Sequence, residues 1–303
     1  DLVNRVREAV STLNGSLGVD VRLTQMSQRE RAAFMSYTGE GPAQAEILND
    51  IARVLAVMSG KGGVGKSSVA GMLAVALRRK GHSVGVLDAD ITGPSIPKMF
   101  GIHKHPVGGP IGIMPVDTKT GLKLMSINLL LPSETKAVVW RGPLISKAIR
   151  QFWSEIFWGT LDYLVVDLPP GTSDAALTVM QAIPLSGVLL VTSPQDLAGM
   201  VVRKAAGMVE LMGAPLLGVV ENMSYTVCPK CGTRIDIFGP SQAEKTAHLI
   251  GAPLLGRIPL EPDFAVHCDA GTIEDYPATA FETIVEQIIE RVPDEKVKPA
   301  FAR

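Results

Sequence analysis

A doubly wound, mainly parallel α/β sheet is the architecture that this 303-residue sequence predicts, and three observations predict it. Short apolar runs rich in β-branched residues, at 53–58, 83–87, 163–166, 187–192, 216–220 and 254–258, have the continuous hydrophobicity of strands buried on both faces. Helix-favouring stretches alternate with them, as right-handed parallel crossovers require. The first strand also runs straight into a glycine-rich loop, Gly60 to Gly65, that opens a helix expected over 66–80.

That loop carries chemistry. Gly60, Gly65, Lys66 and Ser67 satisfy the spacing G-x-x-x-x-G-K-[ST] of a P-loop. In this strand-to-helix context the backbone N–H groups of Gly60, Lys61, Gly62, Gly63, Val64, Gly65, Lys66, Ser67 and Ser68 wrap the phosphates of ATP. The Lys66 ammonium reaches β and γ oxygens, the Ser67 hydroxyl ligates Mg²⁺, and the helix N-terminus adds its partial positive charge. Lys61 is a second lysine where the general pattern needs one. With it, Gly60-Lys61-Gly62-Gly63-Val64-Gly65-Lys66-Ser67 resembles the deviant Walker A loop of the dimeric ATPases that include MinD, ParA and the nitrogenase iron protein. The resemblance implies a homodimer in which Lys61 reaches across the interface to the partner's nucleotide.

Composition narrows the class. Lys and Arg number 29 against 30 Asp and Glu, so the basic excess that drives phosphate-backbone binding is missing and no nucleic-acid partner is expected. Apolar residues make up 46% of the chain but fall in short runs, none near the roughly 18 residues that span a bilayer, and no membrane partner is expected. Three cysteines are no disulfide framework, which fits a reducing, cytoplasmic compartment.

Ahead of the loop, Leu2, Val6, Ala9, Val10 and Leu13 share a helical face, Val19, Val21 and Leu23 alternate as in a strand, and Ser27-Gln28-Arg29-Glu30 has capping-box spacing. Residues 1–38 therefore read as a truncated small α/β module and 39–49, with Gly39, Gly41 and Pro42, as a linker. The ATPase domain is expected over 50–292. A tail over 293–303, charged and with two prolines, is expected to be disordered.

Within the domain, the second strand ends in Asp88-Ala89-Asp90, and loops at strand C-termini face the ligand, which places both acids beside the phosphates. Asp90 resembles the first-switch aspartate of the class, which orients or deprotonates the attacking water. The continuation Asp88-Ala89-Asp90-Ile91-Thr92-Gly93-Pro94-Ser95-Ile96-Pro97 resembles the Mrp/ApbC iron-sulfur carrier ATPases, with Pro94 and Pro97 stiffening the loop. A helix over 142–158 precedes a strand ending in Asp167, a Walker B acid suited to hold a Mg²⁺-bound water. Pro169 to Asp174 would be the second switch, Gly171 offering its N–H to the γ-phosphate, with Ser173 departing from the family's usual glycine. A helix over 197–212 leads to the strand before Asn222, which resembles the class's base-reading asparagine. The last helix, from Pro277, has Phe281, Ile284, Val285, Ile288, Ile289 and Val292 on one stripe and Glu282, Glu286 and Glu290 opposite, the wrong sign for a lipid-binding face. No internal repeat is found.

Cys228-Pro229-Lys230-Cys231-Gly232 supplies two thiolates, half of what tetrahedral zinc or a four-iron cluster requires. His267 and Cys268 would complete an intrachain zinc site, although neighbours on a strand point to opposite faces. The symmetry mate across a two-fold axis would instead complete a bridging [4Fe-4S] site. A dithiol role is the third possibility. The resemblance to the Mrp/ApbC carriers implies the bridging cluster, delivered to iron-sulfur apo-proteins and exchanged with scaffold proteins. Two rivals stand beside it: a MinD- or ParA-like positioning ATPase, and a P-loop ATPase with a structural zinc.

Overall fold

The computed structural model describes residues 44–91, 93–130, 142–277 and 279–296. The module expected at 1–38 and the tail beyond 296 lie outside them. Helix α1 (Gln44–Leu48) occupies the second half of the stretch read as linker. Its Ala45 is buried, and Glu46 accepts a hydrogen bond from the Trp153 indole at 3.2 Å, which gives this segment a packed place in the domain. Strand β1 (Asp50–Ser59), helix α2 (Lys66–Arg79) and strand β2 (Val84–Asp88) come next. After β2 the chain forms the one-turn helix α3 (Ile96–Met99) and strands β3 (Val107–Gly109), β4 (Gly112–Met114), β5 (Val116–Asp117) and β6 (Lys123–Ser126). Alternation then resumes with α4 (Gly142–Ser154), β7 (Thr160–Asp167), α5 (Asp174–Ala182), β8 (Gly187–Thr192), α6 (Asp196–Leu211) and β9 (Leu216–Glu221). Two-residue strands β10 (Thr226–Val227) and β11 (Arg234–Ile235) make a hairpin of their own. Helix α7 (Ala243–Leu249), β12 (Leu254–Arg257), α8 (Pro262–Ala270) and α9 (Thr279–Arg291) complete the domain.

The main sheet runs β12-β9-β8-β1-β7-β2-β6-β5, parallel throughout except for the edge strand β5. Alternate side chains of β1 feed two cores, as the pleat dictates. Leu55 and Val57 pack with Met72, Leu73 and Leu77 of α2 and with Ile284 and Ile288 of α9. Val54, Ala56 and Met58 pack on the other face with Phe152, Val179 and Val202. From β1 the chain first winds outward through β2 and then returns past β1 to β8, so the strand order reverses at β1. Crevices at the carboxyl ends of such a switch point are where open α/β sheets bind ligands. The register sets Asp167 level with both Val57 and Asp88, which brings the ends of β1, β7 and β2 to one line.

Helix α4 ends at Ser154, four residues short of the expected end, because Ile156 bridges to Ile113 and Trp158 is fully buried against Gly85 of β2. The acidic face of α9 is exposed and its apolar stripe is buried, so the stripe is core. Asp294, the start of the expected tail, accepts from Arg53 at the beginning of β1 at 2.5 Å. Among the described residues no helix is long and apolar enough to cross a membrane.

Candidate functional site

The loop between β1 and α2 is held by steric necessity at three glycines. Gly63 and Gly65 have φ of 80° and 77°, in the left-handed region that strains any residue with a Cβ. A Cβ on Gly60 would lie 2.5 Å from the backbone carbonyl carbon of Val201, so the loop rests directly on α6. Above it opens a cavity of about 310 Å³ whose walls include Gly62, Gly65, Ser67, Ser68, Asp90 and Ser95. Lys66 also lines this cavity yet is only 6% exposed. Its Nζ donates to Asp167 Oδ1 at 2.7 Å and stands 3.9 Å from Asp90 Oδ2.

Carboxylates outnumber the ammonium here. Burial, reinforced by the charge of Asp167, pushes Asp88 up to about 8, and burial also raises Asp167 against the opposing pull of Lys66. Asp167 Oδ2 is buried without a hydrogen-bond partner among the described residues. An orphaned carboxylate oxygen beside the Ser67 hydroxyl, in a region of excess negative charge, fits a hard divalent cation such as Mg²⁺. Asp88 is placed differently from its expected position beside the phosphates. It is fully buried, and its oxygens accept from the N–H groups of Asp90, Ser95 and Ile96 and from the Ser126 hydroxyl. Asp88 thus anchors the loop that presents Asp90.

The remaining residues of the expected site divide. Gly171 has a left-handed φ of 78°, and its N–H, expected to meet the γ-phosphate, donates to the Ser59 carbonyl at 2.9 Å and is not aimed into the cavity. Ser173, the departure from glycine, caps α5 by accepting from the N–H of Ala176 at 3.4 Å. Asn222 follows β9 and turns its amide onto the loop, donating to the Val64 carbonyl at 2.9 Å. The half-buried Lys61 donates through its ammonium to Gln195 at 2.5 Å, and neither residue lines the cavity.

Cys228 and Cys231 sit in the turn of the β10–β11 hairpin, closed by Cys228 N–H to the Thr233 carbonyl and Gly232 N–H to the Cys228 carbonyl, each at 2.9 Å. Cys231 is exposed, and hydrogen bonds from Thr233 and Cys228 lower its thiol from the ordinary value. Around the pair, Val227, Ile235, Ile237 and Phe238 are all exposed apolar residues. No cluster of three metal-ligating side chains occurs among the described residues, and His267 and Cys268 do not join the pair. Those two lie in helix α8, not on a strand. Pro262 in its first turn and Gly271 at its end, with φ of 72°, are the start and stop signals that could have revealed it. Cys268 is half-buried, and desolvation pushes its thiol up to about 11.

A parallel sheet with a glycine loop at its switch point, a buried lysine and an acid on the neighbouring strand defines a P-loop NTPase. MinD of Pyrococcus furiosus shares this fold, with a TM-score of 0.55 at 23% identity over 79% of this chain and 99% of that one. The chain belongs to the NUBPL iron-transfer P-loop NTPase family, whose model matches residues 50–293. An iron-sulfur cluster carrier protein of Methanocaldococcus jannaschii is 46% identical over 257 residues, covering 83% of this chain and 89% of the relative. The cytosolic Fe-S cluster assembly factor CFD1 of Chaetomium globosum is 45% identical over 246 residues, 76% of this chain and 81% of its own. A nucleotide-binding protein from Archaeoglobus fulgidus, solved in complex with ADP, superposes with a TM-score of 0.70 at 44% identity, covering 77% of this chain and 91% of that one.

Proposed function

We propose that this protein is an ATP-hydrolysing carrier that holds a labile [4Fe-4S] cluster between two copies of itself and passes it to apo-proteins, with scaffold proteins as the source. The observation that carries the reading is the half-site: an exposed Cys231 beside a half-buried Cys228 on a hairpin, surrounded by uncovered apolar side chains, with no third ligand nearby among the described residues. A second copy related by a two-fold axis supplies the two missing thiolates and covers those side chains in one step. The names of the carrier and assembly-factor relatives support the cargo.

ATP enters the cavity over the loop, where N–H groups face its phosphates. Lys66 exchanges its Asp167 partner for phosphate oxygens, which frees that carboxylate. Ser67 and Asp167 would hold Mg²⁺, whose charge supports the phosphates when bound. Asp90, on a loop fixed by Asp88, orients the attacking water and takes its proton. Lys61 releases Gln195 and crosses to the partner's nucleotide, and Gly171 closes on the γ-phosphate after releasing Ser59. Anaerobic reconstitution with iron and sulfide tests the proposal. About two irons per chain in a dimer is expected, whereas one zinc per monomer would overturn the carrier reading.

A further inference from the structure

Asn222, expected to read the base, makes in the fold a contact to the phosphate loop. A base-reading amide would point its donor and acceptor at adenine. Here one N–H of the Nδ2 group is given to the Val64 carbonyl at 2.9 Å, and since a carbonyl only accepts, no flip of the amide preserves the bond. The side chain is 8% exposed. Its direction is fixed on both sides: its own N–H donates to the Thr192 carbonyl at 2.8 Å, and the next residue, Met223, has a φ of 54°, the one left-handed non-glycine residue among those described.

The Val64–Gly65 peptide is trans, because no cis bond occurs among the described residues. In a planar trans peptide the C=O and the following N–H point in opposite directions. Holding the Val64 oxygen against Asn222 therefore turns the Gly65 N–H the other way. Gly65 lines the phosphate cavity, with Lys66 and Ser67 beside it. A Cβ built on Gly65 would overlap Asn222 Nδ2, so the second glycine of the motif is needed for this contact as well as for its backbone angle.

From this arrangement we infer that Asn222 is a positioning residue for phosphate: it sets the peptide plane that presents the Gly65 N–H, and it acts on any polyphosphate irrespective of the base. The inference rests on the reading of this loop as a nucleotide site, and deepens it.

Titration calorimetry of the full chain with Mg·ATP, Mg·ITP and Mg·tripolyphosphate tests it. Asn222→Ala should weaken all three by a similar factor of at least tenfold, about 1.4 kcal/mol. Asn222→Asp, equal in size but presenting an oxygen to the carbonyl, should weaken them at least as much, with thermal melts showing that both variants are folded. A loss confined to ATP would overturn the inference and make Asn222 a base reader. Unchanged binding of all three ligands by the folded variants would also overturn it. Failure of the unsubstituted protein to bind Mg·ATP would instead bring down the nucleotide reading beneath it.

Discussion

The phosphate loop is held at both its ends by several elements, whereas the cysteine hairpin, among the described residues, is held at its root. Backbone from α6, the Asn222 amide and the Lys66–Asp167 pair all bear on the loop. The hairpin is tied through Leu260 N–H to the Tyr225 carbonyl at 2.6 Å and Thr226 to the Leu260 carbonyl at 2.8 Å, and beyond that its two-residue strands pair only with each other. A site that grips a small anion by many weak N–H donors must be rigid before the anion arrives. On the carrier reading proposed above, the hairpin completes its site against a second copy and then releases what it holds, which requires accessible thiols.

Substitutions should separate the two regions. Cys228→Ser and Cys231→Ser should each abolish iron retention after reconstitution while changing Mg·ATP affinity by less than about 0.5 kcal/mol, because neither residue lines the cavity over the loop. Iron assays beside calorimetry check this, and a parallel fall in ATP affinity would break the contrast. Lys66→Ala should abolish measurable Mg·ATP binding. It should also lower the unfolding free energy by about 3 kcal/mol in denaturant titrations, since it strands Asp167 in the interior. Asp90→Ala should cut single-turnover hydrolysis at least a hundredfold, about 2.7 kcal/mol, with ATP affinity held within tenfold, as a water-orienting group acts mainly in the transition state.

The thiols offer a finer comparison. Thiolate is the reactive form, so the lowered, exposed Cys231 should be alkylated by iodoacetamide at pH 7.5 at least about tenfold faster than the half-buried Cys268. Raising the pH toward 11 should narrow the gap, because Cys268 then ionises; peptide mass mapping over time measures both. Smallest of all, Lys61→Ala should leave Mg·ATP affinity within about threefold while removing the dependence of turnover on protein concentration. A large loss of affinity would place Lys61 in its own chain's site.

The strands of the main sheet were legible because burial on both faces writes an unbroken apolar run, and 187–192 was read to the residue. The loop was legible because its glycines and lysine are demanded at fixed spacing. Between Pro97 and Gly142 nothing was read: β3, β5 and β6 are two to four residues long, too short for alternation to register. Asp88 looked like a second ligand-facing acid, since its three N–H donors and the Ser126 hydroxyl come together only in the folded chain. Asn222 and Gly65 are 157 positions apart, and their contact exists only because β9 ends level with the loop.

The separate pairing of β10 and β11 bears on how such a protein changes over generations. An insertion that shares no ladder with the main sheet can lengthen, shrink or exchange its thiols for other side chains without shifting the register of β9 or β12. The hairpin and the phosphate loop are thus free to drift at different rates, and the side chains that the hairpin presents can change within the stretch between Ser224 and Ala243 alone.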